Sequence, residues 1–154
     1  MRTVDRRSVR APAERMFAAA ADVERWPERL PHYRWVRFGA RRPDGGVVEM
    51  AAVRPFGPVR WPVWWESEMW VDRSRREVRY RHVRGITAGM DVLWTVEARG
   101  PGHTEVTIVH TWDGPPWPLI RVPAATWVIG PVFVHGIASR TLAGLARSVE
   151  SADA

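Results

Sequence analysis

Apolar and polar residues alternate along most of the chain, which is typical of β-strands with one buried face. The predicted strands, in chain order, are Thr3–Arg10, Tyr33–Arg41, Val47–Arg54, Trp61–Val71, Glu77–Val83, Met90–Ala98 and Glu105–Trp112. Turn signals such as Pro43-Asp44-Gly45-Gly46 separate the last six strands at roughly hairpin spacing. The pattern therefore predicts an antiparallel sheet.

Three other segments have helical patterns. Ala13–Ala21 is rich in strong helix formers, and Val23–Arg29 is predicted to form a second short helix. Near the C-terminus, Pro131 marks either a kink or the first turn of a long helix. Apolar residues recur there at helical spacing, namely Ala138, Leu142, Leu145 and Val149. One long helix packed on a curved antiparallel sheet leaves a hollow where the sheet bends away.

Strand alternation also predicts which side chains face that hollow, because successive side chains point to opposite faces. On Trp61–Val71 one face carries Glu66 and Glu68, which prefer water, so the other face is predicted to point inward. The same argument applies to the next three strands. The inward residues proposed as ligand contacts are Trp65, Ser67, Met69, Tyr80, His82, Met90, Trp94, Ile108, His110 and Trp112. Tyr33, Trp26 and His135 are candidates to join them from outside these strands.

Composition fits this picture of a single domain with an internal cavity. The chain has 154 residues, of which 45% are hydrophobic, so one domain over residues 1–154 is expected. Ten tryptophans exceed the needs of a small core and favour an apolar place that is not fully packed. The absence of cysteine excludes disulfides and thiolate chemistry. The start shows no secretory signal, which predicts a cytoplasmic protein.

Charge adds little to the functional picture. The net charge is +6 and every basic residue is arginine, but the arginines are scattered and no nucleic-acid-binding motif accompanies them. A nucleic-acid partner is therefore not favoured, while transient contact with an anionic membrane stays open. The segment Val122–Ser139 carries no formal charge, but its prolines and glycines argue against a membrane span. No metal-ligand spacing, phosphate loop or dinucleotide motif occurs, so no metal and no cofactor are predicted.

Several short motifs resemble one known family. They are Ala11-Pro12-Ala13-Glu14 followed by Met16-Phe17, Asp22 with Trp26-Pro27, Trp65-x-Ser67-Glu68 with Asp72, Met90-x-x-x-Trp94, and Ser139-Arg140-Thr141. Together they look like the START/Bet v1-like helix-grip superfamily and, within it, bacterial polyketide cyclase/dehydrase proteins. The resemblance covers nearly the whole chain. It implies an α+β helix-grip fold: a seven-stranded antiparallel sheet curved around a long C-terminal helix, with two short helices after the first strand.

The resemblance also implies a hydrophobic, aromatic or lipid-like small-molecule partner. Cyclisation and dehydration need an acid/base group and donors for an enolate oxygen. His82 or His110 could serve as the base, and Tyr33 falls where the aromatase/cyclases carry a pocket tyrosine. A structural role for each histidine is an equal alternative, and the loop residues His32 and His103 are expected to be exposed. Met69 and His82 stand where those enzymes have inward arginines, which favours a binder or an enzyme for a more apolar substrate.

Two functions from different classes remain compatible with these residues. One is a cavity protein of polyketide-cyclase type, with or without acid–base catalysis. The other is a non-enzymatic carrier of lipids or isoprenoid quinones, of START type. A monomer and a homodimer are both compatible with the sequence.

Overall fold

A computed structural model describes residues 1–115 and 134–152. Seven strands and three α-helices make up the described part of the chain. The strands are β1 (Arg2–Val9), β2 (Tyr33–Arg42), β3 (Gly45–Phe56), β4 (Val59–Asp72), β5 (Glu77–Gly85), β6 (Asp91–Gly100) and β7 (His103–Thr111). The helices are α1 (Ala13–Ala21), α2 (Trp26–Arg29) and α3 (His135–Ser151). Residue 131, predicted to mark a kink or a helix start, lies outside the described residues.

The strands form one antiparallel sheet in the order β1-β7-β6-β5-β4-β3-β2. Strands β2 to β7 follow one another as hairpins, while α1 and α2 carry the chain from β1 at one edge to β2 at the other. The sheet curves around α3, which confirms the helix-grip architecture predicted from the sequence. The four predicted stripe residues of α3 are all buried: Ala138, Leu142, Leu145 and Val149.

Most predicted strand boundaries differ from the structure by one or two residues, and two of the differences from the predicted elements have local reasons. Strand β3 begins at Gly45, because Gly45 and Gly46 have positive φ angles of 144° and 147° and continue the pairing with β4. A Cβ atom at Gly45 would overlap the carbonyl group of Met69, so only glycine fits there. The predicted second helix is divided into a 3-10 turn, Val23–Arg25, followed by α2.

Burial along the strands follows the predicted alternation. The inward residues Ser67, Tyr80 and Trp94 are buried, whereas Arg79, Arg81 and Asp91 on the opposite face are exposed. Glu66, the residue used to choose the inward face, lies on the outer face 3.8 Å from Arg84.

No helix in the described part of the chain is long and apolar enough to cross a membrane. Residues 122–133 of the uncharged stretch considered for that role lie outside the described residues.

Candidate functional site

A cavity of ≈ 90 Å³ lies between the concave face of the sheet and α3. It is formed by the start of β4, the end of β5, the start of β6, the end of β7 and the first turns of α3. The residues that line it are Trp26, Tyr33, Met50, Val63, Trp64, Trp65, Tyr80, His82, Ile86, Thr87, Met90, Val92, Trp94, Ile108, His110, Val134, Ile137, Ala138 and Thr141. No aspartate, glutamate or arginine is among these described residues.

Nine of the thirteen residues proposed from the sequence lie in this lining. They are Trp26, Tyr33, Trp65, Tyr80, His82, Met90, Trp94, Ile108 and His110. Their grouping follows from strand order: β4 to β7 are neighbours in the sheet, so inward residues near one end of these strands converge on one space.

The other four proposed residues lie outside the lining. Ser67 and Met69 face inward and are buried, with exposed fractions of 0% and 1%, but neither lines the cavity. Trp112 turns towards the β5–β6 turn, where its indole N–H donates to Ala88 O at 3.0 Å. His135 is not among the lining residues and pairs with Asp5.

Aromatic rings form a connected wall on one side of the cavity. The Trp65 and His82 rings are stacked, with 5.9 Å between centroids and 8° between planes. Tyr33 meets Trp65 edge-on at 6.2 Å and Trp26 edge-on at 5.3 Å. Trp26 in turn lies 5.7 Å from Trp94. Its indole N–H is satisfied by Ala19 O at 3.0 Å, so Trp26 presents its apolar surface to the wall.

The two cavity histidines are neutral near pH 7. Burial lowers the pKa of His82 to about 3, with a further contribution from His110. Burial also lowers the pKa of His110 to about 4, with a further contribution from His135. His82 Nδ1 lies 2.7 Å from Thr87 Oγ1, while His110 Nδ1 is buried without a partner among the described residues. Both rings can therefore take part in hydrogen bonds as uncharged groups.

Two tyrosine hydroxyls complete the polar part of the lining. Burial raises the pKa of Tyr33 and of Tyr80, so both are uncharged donors at neutral pH. Tyr80 Oη is buried and has no hydrogen-bond partner in the described part of the protein. Tyr33 Oη lies 3.4 Å from Thr141 Oγ1 on α3.

Thr141 and His32 are polar residues that the sequence-based set did not include. Thr141 Oγ1 lies 3.0 Å from His32 Nε2, and it donates to Ile137 O at 2.8 Å. His32 is therefore half-buried rather than exposed, because the turn before β2 packs against α3. Burial, with Arg140 nearby, lowers the pKa of His32 to about 4. Thr141 could have been found from its position three residues after Ala138, on the same side of the helix.

Asp5 and His135 form a polar pair outside the cavity. Asp5 Oδ1 lies 2.6 Å from His135 Nδ1. Burial raises the pKa of Asp5, and the attraction of His135 opposes that effect. The described residues hold no group of three or more histidine, aspartate or glutamate side chains placed to bind a metal ion.

Residues 1–150 match the model of a family described as polyketide cyclase/dehydrase and lipid transport. Among solved structures, TTHA0849 from Thermus thermophilus is 20% identical over 100% of both chains, with a TM-score of 0.81. The Zhui aromatase/cyclase from Streptomyces sp. R1128 is 18% identical, with 99% of this chain and 97% of that chain covered and a TM-score of 0.77. A START superfamily protein from Mycobacterium smegmatis is 18% identical, with 98% and 95% covered and a TM-score of 0.68. These likenesses show a shared fold. No curated protein matches the chain.

Proposed function

Because the chain belongs to the polyketide cyclase/dehydrase and lipid transport family, we propose that its cavity binds an uncharged small molecule with a flat or aliphatic apolar body. The observation that carries this proposal is the lining itself, which combines an aromatic wall with no charged side chain among the described residues. Burial of an apolar ligand surface there is favourable by about 25 cal/mol per Å². A charged ligand would lose its hydration without gaining an ion pair.

The unpartnered polar atoms indicate where such a ligand would carry its polar group. Tyr80 Oη is a buried donor without a partner among the described residues, and His110 Nδ1 is a buried atom in the same situation. Leaving such groups unpaired costs about 1–3 kcal/mol each, so a ligand oxygen that pairs with them contributes to affinity. A carbonyl or hydroxyl group on an otherwise apolar ligand satisfies this requirement.

Acid–base chemistry on that ligand is the finer form of the proposal. His82 or His110 would accept a proton next to a carbonyl group, and Tyr33 or Tyr80 would donate to the developing oxygen anion. The Zhui protein is an aromatase/cyclase with the same fold, which supports this chemistry. The depressed pKa values of both histidines make them weak bases in the ligand-free protein, so binding has stronger support than turnover.

A carrier of lipids or isoprenoid quinones is the second candidate. It would use the same uncharged cavity without any chemical step. The feature that favours it is the exposure of Ile86, a lining residue that is 46% exposed where the cavity opens. Large apolar side chains beside an opening are suited to receiving a ligand from another apolar environment.

The test of the binding function starts from native mass spectrometry of the purified protein, to identify a co-purified small molecule. Calorimetric titration with that molecule would then compare Ala138→Phe, which fills the cavity, with Ala143→Phe on the same helix but outside the lining. We expect at least a roughly tenfold loss of affinity for the first variant only. Equal affinities in both variants, with both folded, would refute cavity binding.

A separate measurement distinguishes an enzyme from a carrier. Turnover that is lost in His82→Gln or His110→Gln, while ligand affinity persists, would indicate an enzyme.

A further inference from the structure

An apolar track leads out of the cavity along one face of β4. Alternation places Val59, Trp61, Val63 and Trp65 on the same face of this strand. Val63 and Trp65 line the cavity, whereas Val59 and Trp61 lie beyond it and are 55% and 54% exposed. The exposed lining residue Ile86 lies in the β5–β6 turn, directly after Gly85, which pairs with Trp65 in the sheet. We call Val59, Arg60, Trp61 and Ile86 the rim.

The charged residues in the chain segments around the rim are all arginines. Residues 50–65 and 82–90 contain no aspartate or glutamate, but they include Arg54, Arg60 and Arg84. Arg60 is exposed at the tip of the β3–β4 hairpin. Arg54 lies opposite Trp61 in the ladder, whereas Arg84 lies on the outer face of the sheet, 3.8 Å from Glu66. The rim therefore combines exposed apolar side chains with one exposed cation, Arg60.

We propose that the rim docks on an anionic membrane surface with the cavity opening turned towards the lipid. Tryptophan side chains prefer the interfacial region of a bilayer, and an arginine near an anionic surface is attracted to it. The net charge of +6 attracts the protein as a whole to an anionic surface at longer range. Since the track is continuous from Trp61 to Trp65, an apolar molecule could pass between bilayer and cavity without crossing water. The docking surface is independent of whether the cavity performs chemistry.

Sedimentation with vesicles of phosphatidylcholine, with and without phosphatidylglycerol, tests this proposal on the full chain. We expect binding only to vesicles that contain phosphatidylglycerol, with loss at high salt. Trp61→Ser should weaken binding about tenfold or more, because the variant lacks the indole surface that the membrane would bury. The matched control is Trp70→Ser on the outer face of the same strand, where Trp70 is 37% exposed. Arg60→Ser should weaken binding about fivefold, and Arg73→Ser at the opposite end of β4 should not.

A second measurement locates the contact. Brominated lipids should quench tryptophan fluorescence in the unmodified protein, and Trp61→Phe should remove most of that quenching while vesicle binding persists. Equal weakening by Trp61→Ser and Trp70→Ser would overturn the proposal. So would binding that is indifferent to phosphatidylglycerol, or a protein dimer that Trp61→Ser dissociates, since a second copy would then cover the rim. Ligand affinity in the absence of vesicles should be unchanged in Trp61→Ser, so failure of docking is distinguishable from failure of cavity binding.

Discussion

Single buried histidines link this protein's stability to pH. The pKa values of His82 and His110 are lowered to about 3 and about 4, chiefly by burial. A histidine in the unfolded chain has a pKa of about 6.5. The unfolded chain therefore binds protons that the folded chain does not, and stability falls as pH drops from about 6.5 towards about 4. We expect a loss of about 2 kcal/mol per histidine at about pH 5, measured by urea unfolding at a series of pH values. His82→Asn and His110→Asn should each reduce this loss, but the exposed-site control His103→Asn should not.

Two inward positions on β4, Met69 and Trp65, have different surroundings. Met69 is fully buried in the core, outside the cavity lining, whereas Trp65 four residues earlier lines the cavity. Met69→Arg would place an unpaired guanidinium in that core, so we expect a destabilisation of about 3–5 kcal/mol and no gain of catalytic activity. Met69→Leu, which keeps the volume, should cost less than about 1.5 kcal/mol. Denaturant midpoints of the two variants measure the difference, and a stable Met69→Arg protein would show that the residue reaches the cavity.

At the scale of elements, local periodicity explains what could be predicted from the sequence. Alternation along the strands gave the inward face of β4 to β7, and helical spacing gave the buried stripe of α3. Neither periodicity says where along a strand the covering helices leave space, so Ser67 and Met69 were proposed as ligand contacts together with Trp65. The contact between His32 and Thr141 joins residues 109 positions apart, and no local pattern carries that information. The position of the cavity depends on how the helices pack on the sheet, and local sequence patterns do not show this packing.

The packing of α3 against α2 and the following turn gives a prediction at this scale. A Cβ atom at Gly144 would overlap a terminal methyl group of Leu30, which is fully buried. Glycine to alanine inside a helix normally adds about 1 kcal/mol of stability. At Gly144 the overpacking should cost about 1–3 kcal/mol, so the net effect of alanine on stability should be unfavourable. Gly144→Ala should therefore unfold at a lower temperature than the unmodified protein. In the Leu30→Ala background the same change should be neutral or stabilising, and additivity of the two changes would contradict the contact.

In the molecule as a whole, the positive charge lies on the surface and the described part of the cavity lining is uncharged. The net charge of +6 comes from arginines on the surface, whereas the described cavity lining has no charged side chain. An anionic aromatic molecule is therefore attracted to the outside of the protein and disfavoured inside it, since a desolvated carboxylate without a partner costs several kcal/mol. A neutral molecule of the same shape has no such penalty. Charge thus provides a way to distinguish surface binding from cavity binding with a single matched pair of ligands.

That pair is a naphthol and the naphthoate with the same ring system. Calorimetry at high salt should show the naphthol binding at least about a hundredfold more tightly, because screening removes surface attraction and leaves the cost of burying the charge. At low salt the naphthoate should bind weakly, and this binding should disappear as salt is added. Ala138→Phe should abolish naphthol binding and leave the low-salt naphthoate binding unchanged, because only the first ligand occupies the cavity beside Ala138. Tight, salt-resistant naphthoate binding that Ala138→Phe removes would mean that a cation reaches the cavity in the bound state.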